Sequence, residues 1–261
     1  MTLTKHELKQ GMLSLIIWTI SIAFLMVICI LLFPEMKGEM NEVGDLFSSM
    51  GSFTAAFGMD QVSFGTLEGF YAVECGNILG LGGAFFAAFC AVTMLSKEEK
   101  DHTGEFLLTH PISRNYVISG KLAAVIVEII LLNLIVLAAS YVSLVAIGEE
   151  IPWKEILLLH LAYFFLQLEI GGICFGISAF IRRGTMGIGL GLASVLYFLN
   201  IVANISDKVD FLRYITPFAY AEGTDIVTNG KIETGILALG LAYGGAGILA
   251  AYWQYNRKDI H

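Results

Sequence analysis

Six runs of about twenty or more largely apolar residues leave this chain one kind of solvent in which to fold. A helix needs about 20 apolar residues to cross the hydrocarbon core of a bilayer. In lipid every backbone polar group must be paired within its own segment, so runs of this length predict helices. The spans fall at about 11–33, 70–95, 117–147, 153–181, 186–205 and 232–255. Only 15% of residues are charged, against about 25% in a soluble domain. The sequence therefore predicts an all-α, polytopic membrane protein, a single domain over 1–261. Run 11–33 is longer than a signal-peptide core and is followed by Pro34-Glu35, not by a small-residue cleavage site, so it is expected to persist as a spanning helix.

Orientation follows from the basic residues. With the N-terminus inside, Lys5, Lys9, Lys97, Lys100, Arg114, Lys121, Arg182, Arg183, Arg257 and Lys258 fall inside, and Lys37, Lys154, Lys208, Arg213 and Lys231 outside. The positive-inside rule then puts both termini in the cytoplasm and segments 34–69 and 206–231 outside. The formal charge of −8 argues against nucleic acid. Thr4 with Glu7 reads as a capping box for a short helix before the first span. The third run is longer than a membrane requires, so its first turns, with Lys121, are expected to project into water. In the first outside loop Asp45 could cap a helix striped by Leu46, Met50, Phe53 and Phe57. The apolar and aromatic residues around Pro217 predict short helices dipping into the outer interface. Gly172/Gly176, Gly187/Gly191 and Gly240/Gly244 stand four apart, a spacing that lets helices approach closely.

Enzyme signatures are missing. No G-x-x-x-x-G-K-[ST], H-E-x-x-H or G-x-S-x-G occurs, and four cysteines and five histidines are scattered without ligand spacing. No catalytic residue, metal site or bound cofactor is therefore expected. Glu74, Glu128 and Glu169 are ionisable groups within spans, where a charge costs about 2.5–3.5 kcal/mol. Glu74, near the outer end, is expected to reach water. Glu128, Asn133, Gln167 and Glu169 are the candidates for a transport path or a dimer contact, and Asn77, Asn200 and Asn204 could share hydrogen bonds with the acids. Neutral acids satisfied by neighbouring helices remain the plainer alternative.

The distinctive polar stretch is 96–120, a charged island between the second and third spans. Gly104 permits a break, Glu105-Phe106-Leu107-Leu108-Thr109 has an apolar face, and Pro111 stops it. Ser113 is an N-cap for the helix that follows. Exposed apolar side chains rimmed by charge mark a docking site. A segment lying flat on the inner leaflet is the other reading.

Glu98-Glu99, Thr103-Gly104, Leu107-Leu108, Pro111-Ile112-Ser113-Arg114 and Gly120-Lys121 resemble the cytoplasmic segment of type-2 ABC transporter permeases. The family commonly has Gly-Thr where this chain has Thr103-Gly104. The six spans and Thr216-Pro217-Phe218 before the last of them are also similar. The resemblance implies a bacterial cell-membrane exporter subunit paired with a second permease chain, the same or homologous, and with two ABC ATPase subunits that bind ATP and Mg. It further implies that 96–120 carries a coupling helix docking on the ATPase through Glu98, Glu99, Gly104, Glu105, Phe106, Leu107, Leu108, Pro111 and Arg114. Membrane lipid is the remaining partner. Two other readings stay open: an ion-gradient transporter working through Glu128 or Glu169, and a non-transporting immunity or scaffold protein.

Overall fold

The computed structural model describes residues 2–48, 51, 54, 56, 62–97, 112–181 and 185–258. Of the island, Glu98, Glu99, Gly104, Glu105, Phe106, Leu107, Leu108 and Pro111 lie outside the described residues, as do Arg182 and Arg183. The described chain is helical, without a strand: α1 (Thr2–Ser48), α2 (Leu67–Cys75), a π-helical stretch (Gly76–Leu81), α3 (Gly82–Val92), α4 (Arg114–Ile147), α5 (Trp153–Phe180), α6 (Met186–Ile205), two 3₁₀ segments (Asp207–Tyr214 and Ala219–Ala221), α7 (Gly223–Asn229) and α8 (Thr234–Arg257). Six helices are long and apolar enough to cross a membrane, with α2, the π stretch and α3 forming one of them over Leu67–Val92.

Two expectations about α1 are corrected. The helix starts at Thr2, so Thr4 is inside it and does not cap it. It also runs through Pro34 to Ser48, so the first connection begins later than 34 and Asp45 lies within α1. Met50, Phe53 and Phe57 of the expected stripe lie outside the described residues. Ile22, Met26, Ile30 and Phe33 form its buried face, while Leu13, Ile17, Ile20 and Phe24 are exposed. That periodicity fits a helix packed on one side and solvated by apolar surroundings on the other.

Helix ends follow local chemistry. Ser113 caps α4 by accepting from the Tyr116 N–H at 3.2 Å. Gly148 ends α4 with φ +69°, a left-handed cap suited to glycine, and Trp153 opens α5 five residues later.

The helix α5 is central, packed by α8, α3 and α4. Its crossing with α8 is close. A Cβ at Gly172 would lie 2.7 Å from the Gly244 carbonyl oxygen, and one at Gly176 would lie 2.6 Å from that of Gly247. The predicted pairs Gly172/Gly176 and Gly240/Gly244 are thus used for close approach. Gly187 and Gly191 are not, since a Cβ at Gly191 meets nothing within 4 Å. Gly189 replaces them: a Cβ there would lie 2.8 Å from the Ala88 carbonyl oxygen of α3.

Ion pairs and caps sort the helix ends. Glu7, Lys97, Lys121, Arg114, Ile181 and Lys258 meet at one end, which we call the hairpin end because the 98–111 connection leaves from it. At the far end, Lys37 of α1 pairs with Glu149 beyond α4 at 2.8 Å. The start of α1 and the end of α8 therefore share the hairpin end.

Candidate functional site

Residues 97 and 112 flank the 98–111 connection, and the hairpin end is built around that base. Lys97 continues from the second span and pairs with Glu7 of α1, and its Nζ also donates to the Gln10 Oε1 at 3.0 Å. On the other side of the connection Lys121 of α4 donates to Glu7 Oε1 at 3.1 Å and to the Met94 carbonyl at 2.8 Å. One carboxylate thus holds both arms of the hairpin. Glu7 is 3% exposed and Lys121 0%. The expectation that Lys121 projects into water is corrected: its length and charge serve an internal bond between α4 and α1. A buried charge is tolerated only when paired and hydrogen-bonded, and this one is.

Beside the pair lies a cavity of about 220 Å³ whose lining includes Glu7, Gln10, Ser14, Cys90, Lys97 and Glu128. Glu128 is buried and abuts Gly11 of α1, where any side chain would strike its carboxylate. Arg114 is used within the chain: its Nη1 donates to the carbonyls of Tyr255 at 2.9 Å, Asn256 at 3.2 Å and Lys258 at 2.7 Å. Tyr255 and Asn256 carry terminal carbonyls of α8, otherwise left without intrahelical partners, and Lys258 is the residue that caps it. Lys258 Nζ in turn donates to the Ile181 carbonyl at 3.1 Å.

Deeper in the bundle the other predicted groups fall into two separate contacts. Asn133 of α4 donates to the Gln167 Oε1 of α5 at 2.6 Å and to its own Ile129 carbonyl at 2.8 Å. A side chain at Gly83 of α3 would strike the Gln167 amide. Glu169, two residues on, points to another face of α5, as helical geometry requires. It accepts from the Tyr220 hydroxyl at 3.0 Å and abuts Gly240 of α8. Its Oε1 is buried without a partner. Glu169 also borders a cavity of about 210 Å³ between α4, α5 and α8. Glu128, Asn133, Gln167 and Glu169 therefore do not form one polar track among the described residues. Glu74 is half-buried, with the Cys29 thiol donating to its Oε2 at 3.8 Å.

Asn200 and Asn204 do not serve the acids they were matched with. Both donate to the Glu222 Oε2, at 2.8 and 3.0 Å, fastening the segment after α6 to α6 itself. Burial pushes the Glu222 carboxyl above its ordinary value, an effect these two donors partly offset. The stretch around Pro217 does fold into short helices as expected, with Phe218, Ala219, Tyr220 and Ala221 buried. Glu7, Tyr220 and Glu222 were missed as site residues. Their only signal in sequence is a polar side chain facing apolar neighbours, and that becomes visible once the helices are paired.

Comparison with curated proteins finds no match. A family model described as ABC-2 family transporter protein matches residues 1–260. That match spans nearly the whole chain, including all six spanning helices and the hairpin base. The chain belongs to the ABC-2 transporter family, as a multi-pass membrane permease that associates with ABC ATPase partners.

Proposed function

We propose that this permease is the membrane half of an ATP-driven exporter in the bacterial cell membrane, with its hairpin end and both termini in the cytoplasm. Segment 96–120 is the docking site for the ATPase, and Phe106, Leu107 and Leu108 are its apolar contact, flanked by Glu98, Glu99, Gly104, Glu105 and Pro111. Two ATPase subunits binding ATP and Mg, and a second permease chain, complete the transporter. Outward direction rests on the resemblance of the island to exporter permeases.

The observation that carries this reading is the clamp at the hairpin base. Glu7 bonds Lys97 on one arm and Lys121 on the other, so a push on the hairpin is delivered to α1, the second span and α4 together. Arg114 links the same base to the end of α8. A docking loop on a loose tether would dissipate the motion of its partner, whereas one seated on a buried ion pair transmits it. The chain itself contributes no phosphate-cradling loop to this work. Glu128 and Glu169, with Asn133 and Gln167, act as polar positions along the moving helices.

Co-purification with its ABC ATPase partner is the test. Wild type is expected to bring the ATPase down and to change its ATP hydrolysis. Phe106→Asp with Leu107→Asp is expected to abolish both while the chain still inserts in the membrane. Unchanged assembly and hydrolysis in that variant would remove the docking role.

A further inference from the structure

At the far end of the bundle the π-helical stretch, α5, α6 and the turn before α7 line a small pocket of about 40 Å³. That is room for one to a few water-sized occupants. Asn77, Tyr163, Tyr197, Asn200 and Glu222 line it, and the lining contains no lysine or arginine. Every one of these side chains carries an oxygen, and one carries a charge.

Two of the oxygens are buried and unpartnered, Asn200 Oδ1 and Tyr163 Oη. Their residues are 4% and 1% exposed. The Asn200 amide nitrogen is already committed to Glu222, which fixes its oxygen as the free end. The Asn204 nitrogen is committed to Glu222 as well, and the Tyr197 hydroxyl donates to the Asn77 Oδ1 at 3.4 Å. Glycines make the space: a Cβ at Gly76 would stand 3.1 Å from the Tyr163 hydroxyl oxygen, and one at Gly223 2.8 Å from it. Of the two basic residues of the adjoining 3₁₀ segment, Arg213 is held by Asp225 at 2.9 Å and Lys208 is exposed. Buried acceptors left without donors are destabilising, and each calls for an occupant. A π-helical turn inside a long helix is itself a feature that recurs at functional sites.

We propose that this pocket binds one dehydrated monovalent cation of Na⁺ size, held by the Glu222 carboxylate and the neutral oxygens of Asn200, Asn77 and Tyr163. A single carboxylate among neutral oxygens balances one positive charge. Mg²⁺ keeps several of its own waters and requires octahedral space, and Ca²⁺ takes six to eight oxygens with several carboxylates among them, so neither suits a lining with one carboxylate and a few neutral oxygens. Bound there, the ion ties the segment between α6 and α8 to the π-helical stretch of the second span. The site is independent of the ATPase-docking role and stands or falls separately from it.

The test is thermal unfolding of the full purified chain at pH 8 in NaCl, KCl or choline chloride at constant ionic strength. A ligand present at a hundred times its Kd for the folded chain raises the midpoint by roughly 5–10 degrees. A saturable rise of that size is expected in NaCl, a smaller one in KCl and none in choline. Glu222→Gln is expected to abolish the Na⁺ response. Tyr163→Phe, which deletes only the unpartnered hydroxyl, should unfold like wild type in choline yet need about tenfold more Na⁺, the loss of one hydrogen-bond-strength contact to a charge. Identical midpoints in all three salts would mean that the pocket holds water only and would overturn the proposal. So would equal responses to Na⁺ and K⁺, or a full Na⁺ response in Glu222→Gln.

Discussion

Lys121 of α4 donates to Glu7 of α1 at 3.1 Å, with the two side chains 0% and 2% exposed. Glu7 is also the partner of Lys97. Removing one member of a buried pair leaves an uncompensated charge and costs about 3–5 kcal/mol. Glu7→Gln removes the one anion that Lys97 and Lys121 share, and Lys121→Met leaves Glu7 with Lys97 as its remaining cation, so each is predicted to lower the thermal midpoint of the purified chain by several degrees. The double variant should lose less than the sum of the two, because residues that share a partner are not additive.

The α5–α8 crossing is predicted to reject even a methyl group. Gly172→Ala places a Cβ 2.7 Å from the Gly244 carbonyl oxygen, a backbone atom that can move only with its helix. Overpacking of this kind costs about 1–3 kcal/mol. Gly191→Ala, with nothing within 4 Å of its Cβ, should be neutral or raise stability by up to about 1 kcal/mol through helix propensity. Denaturation of the two variants side by side measures the difference. Equal behaviour would contradict the crossing.

Glu222 links stability to pH. Burial raises its carboxyl above the ordinary 4.5 despite the Asn204 and Asn200 donors. The folded chain then holds this proton more tightly than the unfolded chain. Its contribution is complete below about pH 4.5 and is lost as pH rises through the raised value. Thermal midpoints measured from pH 4 to 8 in choline chloride are expected to fall more steeply for wild type than for Glu222→Gln, which has no proton to lose.

Glu169 accepts from Tyr220 and leaves its second oxygen unpartnered beside an apolar cavity. Glu169→Gln keeps the shape and supplies a neutral side chain. A structural role predicts transport unchanged in ATP-energised vesicles. A role in the transport path predicts a loss of transport with the thermal midpoint preserved, and this second outcome is the one expected of a polar position on a moving helix.

The six spans and the Ser113 cap were legible because length, apolar runs and cap chemistry act locally. The Gly172/Gly176 and Gly240/Gly244 faces were legible for the same reason. Other features depended on tertiary pairing. Pro34 reads as a helix stop, yet α1 continues to Ser48. Lys121 reads as a water-facing charge, yet the acid that neutralises it sits 114 positions earlier, in a stretch that looks like an ordinary capping box. Asn200 and Asn204 look like partners for the spanning acids, but Glu222 lies on the same side of the bundle and reaches them first. Arg114 reads as a docking residue alone, and its bonds to the carbonyls at the end of α8 have no signal in the sequence. Spacing along a chain cannot report which helix ends will meet.

The most direct measurement of the central claim is site-specific photo-crosslinking from position 106, with the full chain in membranes alongside its ABC ATPase. A coupling helix at 96–120 gives a covalent adduct to the ATPase from position 106, and a weakened adduct when Glu7→Gln loosens the hairpin base. A probe at position 106 that reacts only with lipid, or with nothing, while ATP-driven transport proceeds would contradict it.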